Sequence, residues 1–311
     1  MADERNVTEP AGALPADDPR GDRQTLSVRF WGVRGSIPAP GPDTLRYGGE
    51  TTAIEIRCGD RVVMIDCGSG VRLAGRELSR SVPGRMDVLF THTHLDHICG
   101  LPFFCVAYDP NIAVNLWAGH IPPDGTLEEI VQRLMSPPIF PVATSALNNT
   151  HFRSFTVGSI IDLGDGLTVR TVRLNHPGNA TGYRFDWCGS SLAIITDHEH
   201  GKPEIDDPIA DFVKDATVMV YDAMYRDEEY PRFKGWGHST PGQALALAKR
   251  ANVGHTVLFH HDPTRTDDQI DTMAAELVDA GEKASFARQG DTLLLRNGQL
   301  SRAERDAKIH A

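Results

Sequence analysis

From residue 26 onward, apolar and polar positions alternate with the period of a half-buried strand. The stretches LSVRFWGV (26–33) and TAIEIR (52–57) both read this way, with a Gly/Pro-rich loop through Gly49 between them. Gly59-Asp60 then turns the chain into VVMID (62–66), a hairpin signal. Cys67-Gly68-Ser69-Gly70 leads into a short helix over 71–79. MDVLFT (86–91) has the look of a buried strand. Strand patterns recur at 112–117, 167–174, 181–187, 191–196, 217–221, 256–260 and 292–296. Helices are expected over 126–135, after Ser239-Thr240, and over 266–280. Thr240 and Thr266 each have a glutamine three residues on, which is the capping-box spacing, and Pro241 suits a first helical turn. SPPIFP (136–141) must be a loop. Residues 1–25 lack periodicity and read as a mobile tail, and 301–311 as a polar tail. The span 26–300 reads as a single domain. Its strands come in two blocks, each followed by helices, which implies two sheets packed face to face with helices outside, an α/β (α+β) sandwich.

Composition narrows the function classes. The apolar fraction of 40% supports a real core in 311 residues. A formal net charge of −11 argues against a broad nucleic-acid or anionic-membrane surface. A small anionic substrate stays compatible if a metal supplies local charge. The five cysteines, Cys58, Cys67, Cys99, Cys105 and Cys188, form no CxxC pair and read as core residues of a reducing compartment. Met1 is followed by Ala2-Asp3-Glu4-Arg5 without an apolar leader, and no run reaches the length of a membrane span. The expected location is the cytoplasm.

The chemistry announces itself directly after the buried run. His92-Thr93-His94-Leu95-Asp96-His97 places four metal-ligand side chains within six residues. Imidazole with carboxylate suits zinc and its borderline neighbours. His92 and His94 share a face while the backbone is extended, and Asp96 and His97 need a bend to reach the same point. Three later residues also sit at strand ends: His176 after 167–175, Asp197 after 192–196 and His260 after 256–259. A carboxylate ending an apolar strand is costly unless it is paired or bound to a cation. A lone strand-end histidine is more often an ordinary residue, and it is the combination with the 92–97 cluster that makes these three candidates.

This pattern resembles the metallo-β-lactamase superfamily over residues 28 to 296. The signs are Asp66 before a Gly-rich turn, the H-x-H-x-D-H cluster, then His176, Asp197 and His260. The resemblance implies a four-layer αββα sandwich and two divalent metal ions, zinc first, with manganese or iron able to occupy the same set. It implies that His92, His94 and His176 hold one metal, that Asp96, His97 and His260 hold the other, and that Asp197 bridges them. A bound hydroxide is then the nucleophile, since the metals lower the pKa of water from ~15.7 towards ~7. Asp66 is expected to orient a ligand histidine.

Tyr221-Asp222-Ala223-Met224-Tyr225, followed by Gly237-His238-Ser239-Thr240 and a helix, is similar to the phosphodiesterase branch of that superfamily, which includes tRNase Z and small cyclic-phosphate phosphodiesterases. The resemblance implies that His238 contacts the scissile phosphate and protonates the leaving oxygen, that Asp222 orients it, and that Asp96 belongs with them to the catalytic set. A helix N-terminus beside His238 favours phosphate independently. The alternative reading of Gly237-His238-Ser239-Thr240 is a plain helix cap. Two departures from tRNase Z stand out. Asp222 replaces the glutamate of that family's His-Glu-Ala-Thr motif, and only about twenty residues separate His176 from Asp197, where the bacterial forms carry a tRNA-gripping arm. The expected substrate is therefore a small phosphodiester, a cyclic nucleotide or cyclic ribose phosphate. Rivals are a lactone or thioester hydrolase on the same fold, a tRNA 3′-processing endonuclease, and a nucleotide sensor without turnover. Dimers are common in the resembled branch, so a homodimer is a further expectation.

Several residues stay open at this level. Arg34 and Arg46, in the front segment, either touch substrate or anchor loops. His198 reads as an orienting or substrate contact, and His200 and His261 have no assigned role. His260 rather than His261 is taken as the ligand because it lies nearer the strand end. Residues 136–155, with Phe140, Phe152 and Phe155, shape a pocket, a dimer contact or ordinary core. His120, His151, His255 and His310 read as ordinary.

Overall fold

A computed structural model describes residues 22–82 and 84–303. The expected tails at 1–25 and 301–311 fall largely on residues 1–21 and 304–311, and these, with His310, lie outside the described residues.

In chain order the first part comprises β1 (Leu26–Gly32), β2 (Ala53–Cys58), β3 (Arg61–Ile65), α1 (Val71–Leu78), β4 (Arg85–Phe90), α2 (Leu95–Ile98), β5 (Ala113–Ala118), α3 (Leu127–Leu134) and β6 (Thr150–Ser154). The second comprises β7 (Ile160–Gly164), β8 (Leu167–Leu174), β9 (Ala180–Trp187), β10 (Ser190–Ile195), α4 (Pro203–Phe212), β11 (Val218–Asp222), α5 (Pro241–Arg250), β12 (His255–Phe259), α6 (Asp267–Asp279) and β13 (Ala284–Phe286). Strands β14 (Thr292–Arg296) and β15 (Gln299–Arg302) return to the first sheet.

Two mixed sheets result, with orders β15-β14-β1-β2-β3-β4-β5-β6 and β13-β12-β11-β10-β9-β8-β7. The inner faces share one apolar core in which Phe30 of β1 and Phe259 of β12 meet at 5.9 Å. The outer face of the first sheet packs on α1 and α3, and that of the second on α4, α5 and α6. These are the four layers αββα that the resemblance implied. The cross-sheet pair carries a stability prediction. Phe30→Ala is expected to cost about 3–5 kcal/mol in denaturant unfolding, read as a lower midpoint at unchanged slope.

Most expected elements are present within a residue or two. Thr126 and Thr266 form complete capping boxes, whereas at α5 the Thr240 hydroxyl accepts from Gln243 N and itself donates to Asp227. Where a loop was expected across 136–155, β6 forms at its end, parallel to β5 on the sheet edge. Phe140 and Phe152 pack, partly buried, against the outer core of the first sheet and Phe155 against the inner core. No helix among the described residues is long and apolar enough to cross a membrane.

The parallel segments fix where chemistry can be placed. β3 and β4 run parallel, and so do β10, β11 and β12. β8 and β10 both pair antiparallel with β9, so β8 points the same way as β10. The carboxyl ends of these strands therefore gather at one edge of the sandwich, and loops there can converge without disturbing the core.

Candidate metal centre and active site

Three side chains at that edge stand on strained backbone. Asp66 ends β3 with φ 62°, Asp197 ends β10 with φ 58° and His260 ends β12 with φ 63°. A left-handed conformation costs a non-glycine residue about 1–2 kcal/mol. Such strain persists only where surrounding contacts over-determine it, as at functional sites. The His92–His97 segment leaves β4 extended, with His94 at ψ 159°, and then bends into the single turn of α2. That bend brings Asp96 and His97 back to the same point, as their spacing required.

The ligating atoms form overlapping groups. His92, His94 and His176 offer nitrogen atoms within 4.8 Å of one another, and Asp96, His97, Asp197 and His260 offer carboxylate oxygens and imidazole nitrogens within the same span. His238 converges likewise with His176 and Asp197, and with Asp222 and His260. Asp197 faces both of the first two groups. Its Oδ1 lies 3.4 Å from His97 Nε2 and from His260 Nε2, while its Oδ2 lies 3.8 Å from His92 Nε2 and from His176 Nε2. Asp96 Oδ2 sits 3.3 Å from both His97 Nε2 and His260 Nε2 and accepts from Ser36 N at 2.7 Å. The front loop thus reaches the site. Gly35 is required there, because a Cβ would lie 2.3 Å from the His260 ring.

The outer ring atoms are tied down, which aims the inner ones. His176 donates Nδ1–H to the Gly237 carbonyl at 2.8 Å, leaving Nε2 directed at His94 Nδ1, 3.0 Å away. His97 Nδ1 lies 2.8 Å from Asp66 Oδ2, and Asp66 also accepts from Thr91 N and Thr91 Oγ1. This is the orienting role expected of Asp66. Removing such a partner typically weakens metal binding 10–100-fold. Asp66→Asn is accordingly expected to weaken the cation at His97 by about that factor in a chelator competition. Equal affinity would show that His97 needs no orientation.

Whether the donor set suits divalent cations can be tested on the side chains themselves. His92 Nε2 is buried without a hydrogen-bond partner, a cost that coordination of its lone pair removes. Burial pushes His92 and His94 below the ordinary histidine range and His176 down to about 4, so these rings are neutral donors. Burial pushes Asp96 and Asp197 up, but the neighbouring histidines outweigh it and hold both well below the usual carboxylate range. His97 is depressed by burial, yet Asp197, Asp96 and Asp66 raise it well above normal. Buried carboxylates of this kind call for positive charge between them, and cations at these atoms supply it. The donors fit divalent ions.

His238 and Asp222 stand at one side of the two groups. His238 Nδ1 is 2.7 Å from Asp222 Oδ2, and the His238 ring stacks on His260 at 4.9 Å. Asp222 is fixed in turn by Met224 N and Ser239 N. Burial pushes His238 down, but Asp222 overcomes it and holds the imidazole up at about 9. Nδ1–H is committed to Asp222, so Nε2 is the nitrogen left to face a ligand.

The open residues now have places. Arg34 is fully buried and donates to the carbonyls of Gly48, Asp262 and Arg265, so it anchors loops. Arg46 pairs with Asp268 and Asp271 of α6. His261 donates Nε2–H to the Ala287 carbonyl at 2.8 Å, outside both groups, and His260 occupies the strand-end position. His198 accepts from Asn175 N and lies 3.2 Å from Asp206 Oδ1, and His200 pairs with Ser239 Oγ. One residue taken as ordinary is not remote. His120, two residues past β5, bonds Thr93 Oγ1 at 3.0 Å, with its ring 6.4 Å from His92. Its place after a parallel strand was the available signal. Glu199, unremarked in the sequence, is also buried at this edge.

Comparison with known proteins bears on the family and the fold. Residues 61–261 match the family model described as Beta-lactamase superfamily domain. Ribonuclease Z of Haloarcula marismortui is 25% identical over 321 aligned residues, spanning 90% of this chain and 97% of its own. The metallo-β-lactamase fold protein YhfI of Bacillus subtilis superposes with a TM-score of 0.64 at 16% identity, covering 87% of this chain and 99% of its own. The short form of human tRNase Z superposes with a TM-score of 0.60 at 20% identity, covering 86% and 98%. The chain belongs to the metallo-β-lactamase superfamily, as a metal-dependent hydrolase.

Proposed function

We propose that this hydrolase cleaves a small phosphodiester, of the cyclic nucleotide or cyclic ribose phosphate type, with His238 as general acid. The observation that carries the reading is the His238–Asp222 pair, 2.7 Å apart, set against His260 of the second ligand group. A phosphodiester needs attack on one side and charge relief or a proton on the other. In this reading His92, His94 and His176 hold one divalent cation, Asp96, His97 and His260 hold the other, and Asp197 faces both. Zinc suits these donors first, and manganese or iron(II) is compatible. Bound there, the cations supply Lewis acidity and a water that ionises near neutral pH.

The rest is work for side chains. Asp222 holds the His238 proton at Nδ1 and so fixes the ring. His238 Nε2–H then donates to the oxygen that leaves. Asp66 holds His97, and the Gly237 carbonyl holds His176, so the donors keep their geometry through turnover. All of these residues come from one chain, so the reading needs no second copy, and the homodimer stays a separate expectation. A cytoplasmic location is supported by the five unpaired cysteines, of which Cys105 and Cys188 are exposed and not the core residues expected.

Small size is supported by the β9–β10 connection. It is a turn of Cys188 and Gly189, both at positive φ, which leaves no arm between His176 and Asp197. The charge of −11 points the same way. A second reading, tRNA 3′-end cleavage, is favoured by the similarity to Ribonuclease Z. A substrate panel separates them: cyclic nucleotides, a cyclic ribose phosphate, a precursor tRNA, a lactone and a thioester. Turnover of a small phosphodiester with an inert tRNA supports the first reading. Cleavage of the precursor alone supports the second, and turnover of the lactone or thioester alone defeats both.

A further inference from the structure

Glu199 lies two residues beyond Asp197 and is 7% exposed. Its carboxylate accepts three hydrogen bonds from a single loop: Tyr230 OH at 2.9 Å and Gly235 N at 2.7 Å on Oε1, and Gly237 N at 2.9 Å on Oε2. Its own backbone is locked to the chain before His176. Glu199 N donates to the Asn175 carbonyl at 2.8 Å, and Asn175 Nδ2 donates to the Glu199 carbonyl at 2.6 Å. Gly235 and Gly237 are left-handed, at φ 93° and 89°, and Trp236 between them is 61% exposed. Further anchors are Phe233, stacked on Tyr225 at 4.3 Å, Tyr230, whose ring lies 4.5 Å from that of His200, and the Gly237 carbonyl on His176 Nδ1.

The residue after Gly237 is His238. Asp222 fixes its ring at one nitrogen only, which leaves the backbone to set where Nε2 points. Gly237 is also the carbonyl partner of His176, and a Cβ on it would fall 2.3 Å from His176 Nδ1. The main chain at 237 must therefore press against one candidate ligand while it presents the candidate acid. Charge-assisted bonds from a carboxylate to backbone N–H groups are about twice as strong as neutral ones. A displacement of about 1 Å at a reacting group can cost about 10²-fold in rate.

We propose that Glu199 is a positioning residue that clasps the 235–237 backbone and thereby sets the aim of His238. The inference rests on the reading of His238 as the acid. Its signature is selectivity for the leaving group, because an acid matters for a poor leaving group and little for p-nitrophenolate.

The test compares wild type, Glu199→Gln, Glu199→Ala and His238→Ala on phosphodiesters with p-nitrophenol and with an alkyl alcohol as leaving group. Bound metal is measured for each protein. Glu199→Ala is expected to lose about 10- to 10²-fold in kcat on the alkyl ester, under threefold on the p-nitrophenyl ester, and no metal. KM should hold on both. Glu199→Gln keeps the shape without the charge and should fall between. Equal losses on both esters, loss of metal, or wild-type rates overturn the inference. If His238→Ala shows the leaving-group dependence and the Glu199 variants do not, the clasp alone fails. If His238→Ala also lacks it, the assignment of the acid fails first.

Discussion

Replacing His238 by alanine is expected to lower kcat on a phosphodiester with a sugar hydroxyl as leaving group by about 10²- to 10⁴-fold. The expectation follows from the placement of the ring. Nδ1 is held by Asp222 at 2.7 Å, and the ring lies flat against His260. His238 also lies within ligating distance of His176 and Asp197 and of Asp222 and His260, but in the proposed reading it is not one of the ligands, its Nδ1 being taken by Asp222. Metal content should therefore stay at the wild-type level while the rate collapses. KM should change little, because the proton transfer develops in the transition state. Asp222→Asn should act in the same direction and more weakly, since the amide keeps a contact to Nδ1 but not the charge. A His238→Ala enzyme with full metal and full rate on that substrate would remove the assigned acid. It would move the account towards a lactone or thioester hydrolase, which needs no such group.

Asp197→Ala is expected to abolish turnover and to reduce metal at both positions. One carboxylate faces five imidazoles, with Oδ1 towards His97 and His260 and Oδ2 towards His92, His176 and His238. Losing a few kcal/mol of transition-state charge stabilisation, about 4, corresponds to about 10³-fold in rate. Chelation of the wild-type protein should produce the same loss, and a divalent ion should reverse it. Stability should follow the metal. A ligand at 1,000 times its Kd adds about 4 kcal/mol to the folded state. The melting temperature should therefore drop on chelation for the wild type and barely move for Asp197→Ala. A variant that keeps both metals, or whose melting point falls on chelation as far as the wild type's, would contradict a carboxylate shared by both ions.

Some of this site was legible in the sequence because its information is local. The 92–97 cluster is short, and its bend is the beginning of α2, so spacing alone foretold convergence. His176, Asp197 and His260 were legible as strand ends. What no spacing announces is register across the two sheets. That Asp197 divides its oxygens between two groups depends on how β4, β8, β10 and β12 are laid against one another. His120 and Glu199 escaped for the same reason, since each joins the site through a partner far along the chain. Among the elements, β6 was hidden because it is an exposed, polar edge strand without an apolar stripe. α4 was hidden by Pro203 and Pro208, which look like breakers, although Pro203 sits in the first turn where no N–H is needed. Asp66 was expected to orient a histidine, and the structure names the histidine as His97.

The central claim is that a pair of divalent ions and His238 together cleave phosphodiesters. It is tested most directly by titrating metal-free protein with zinc or manganese while following hydrolysis of bis-p-nitrophenyl phosphate and a cyclic nucleotide, with bound metal measured at each point. The account predicts no turnover without metal and a rate that reaches its plateau at two ions per chain. His238→Ala should bind the same two ions and retain the p-nitrophenyl activity far better than the cyclic nucleotide activity. A plateau at one ion, turnover in the metal-free protein, or no cleavage of either ester with both sites filled would contradict it.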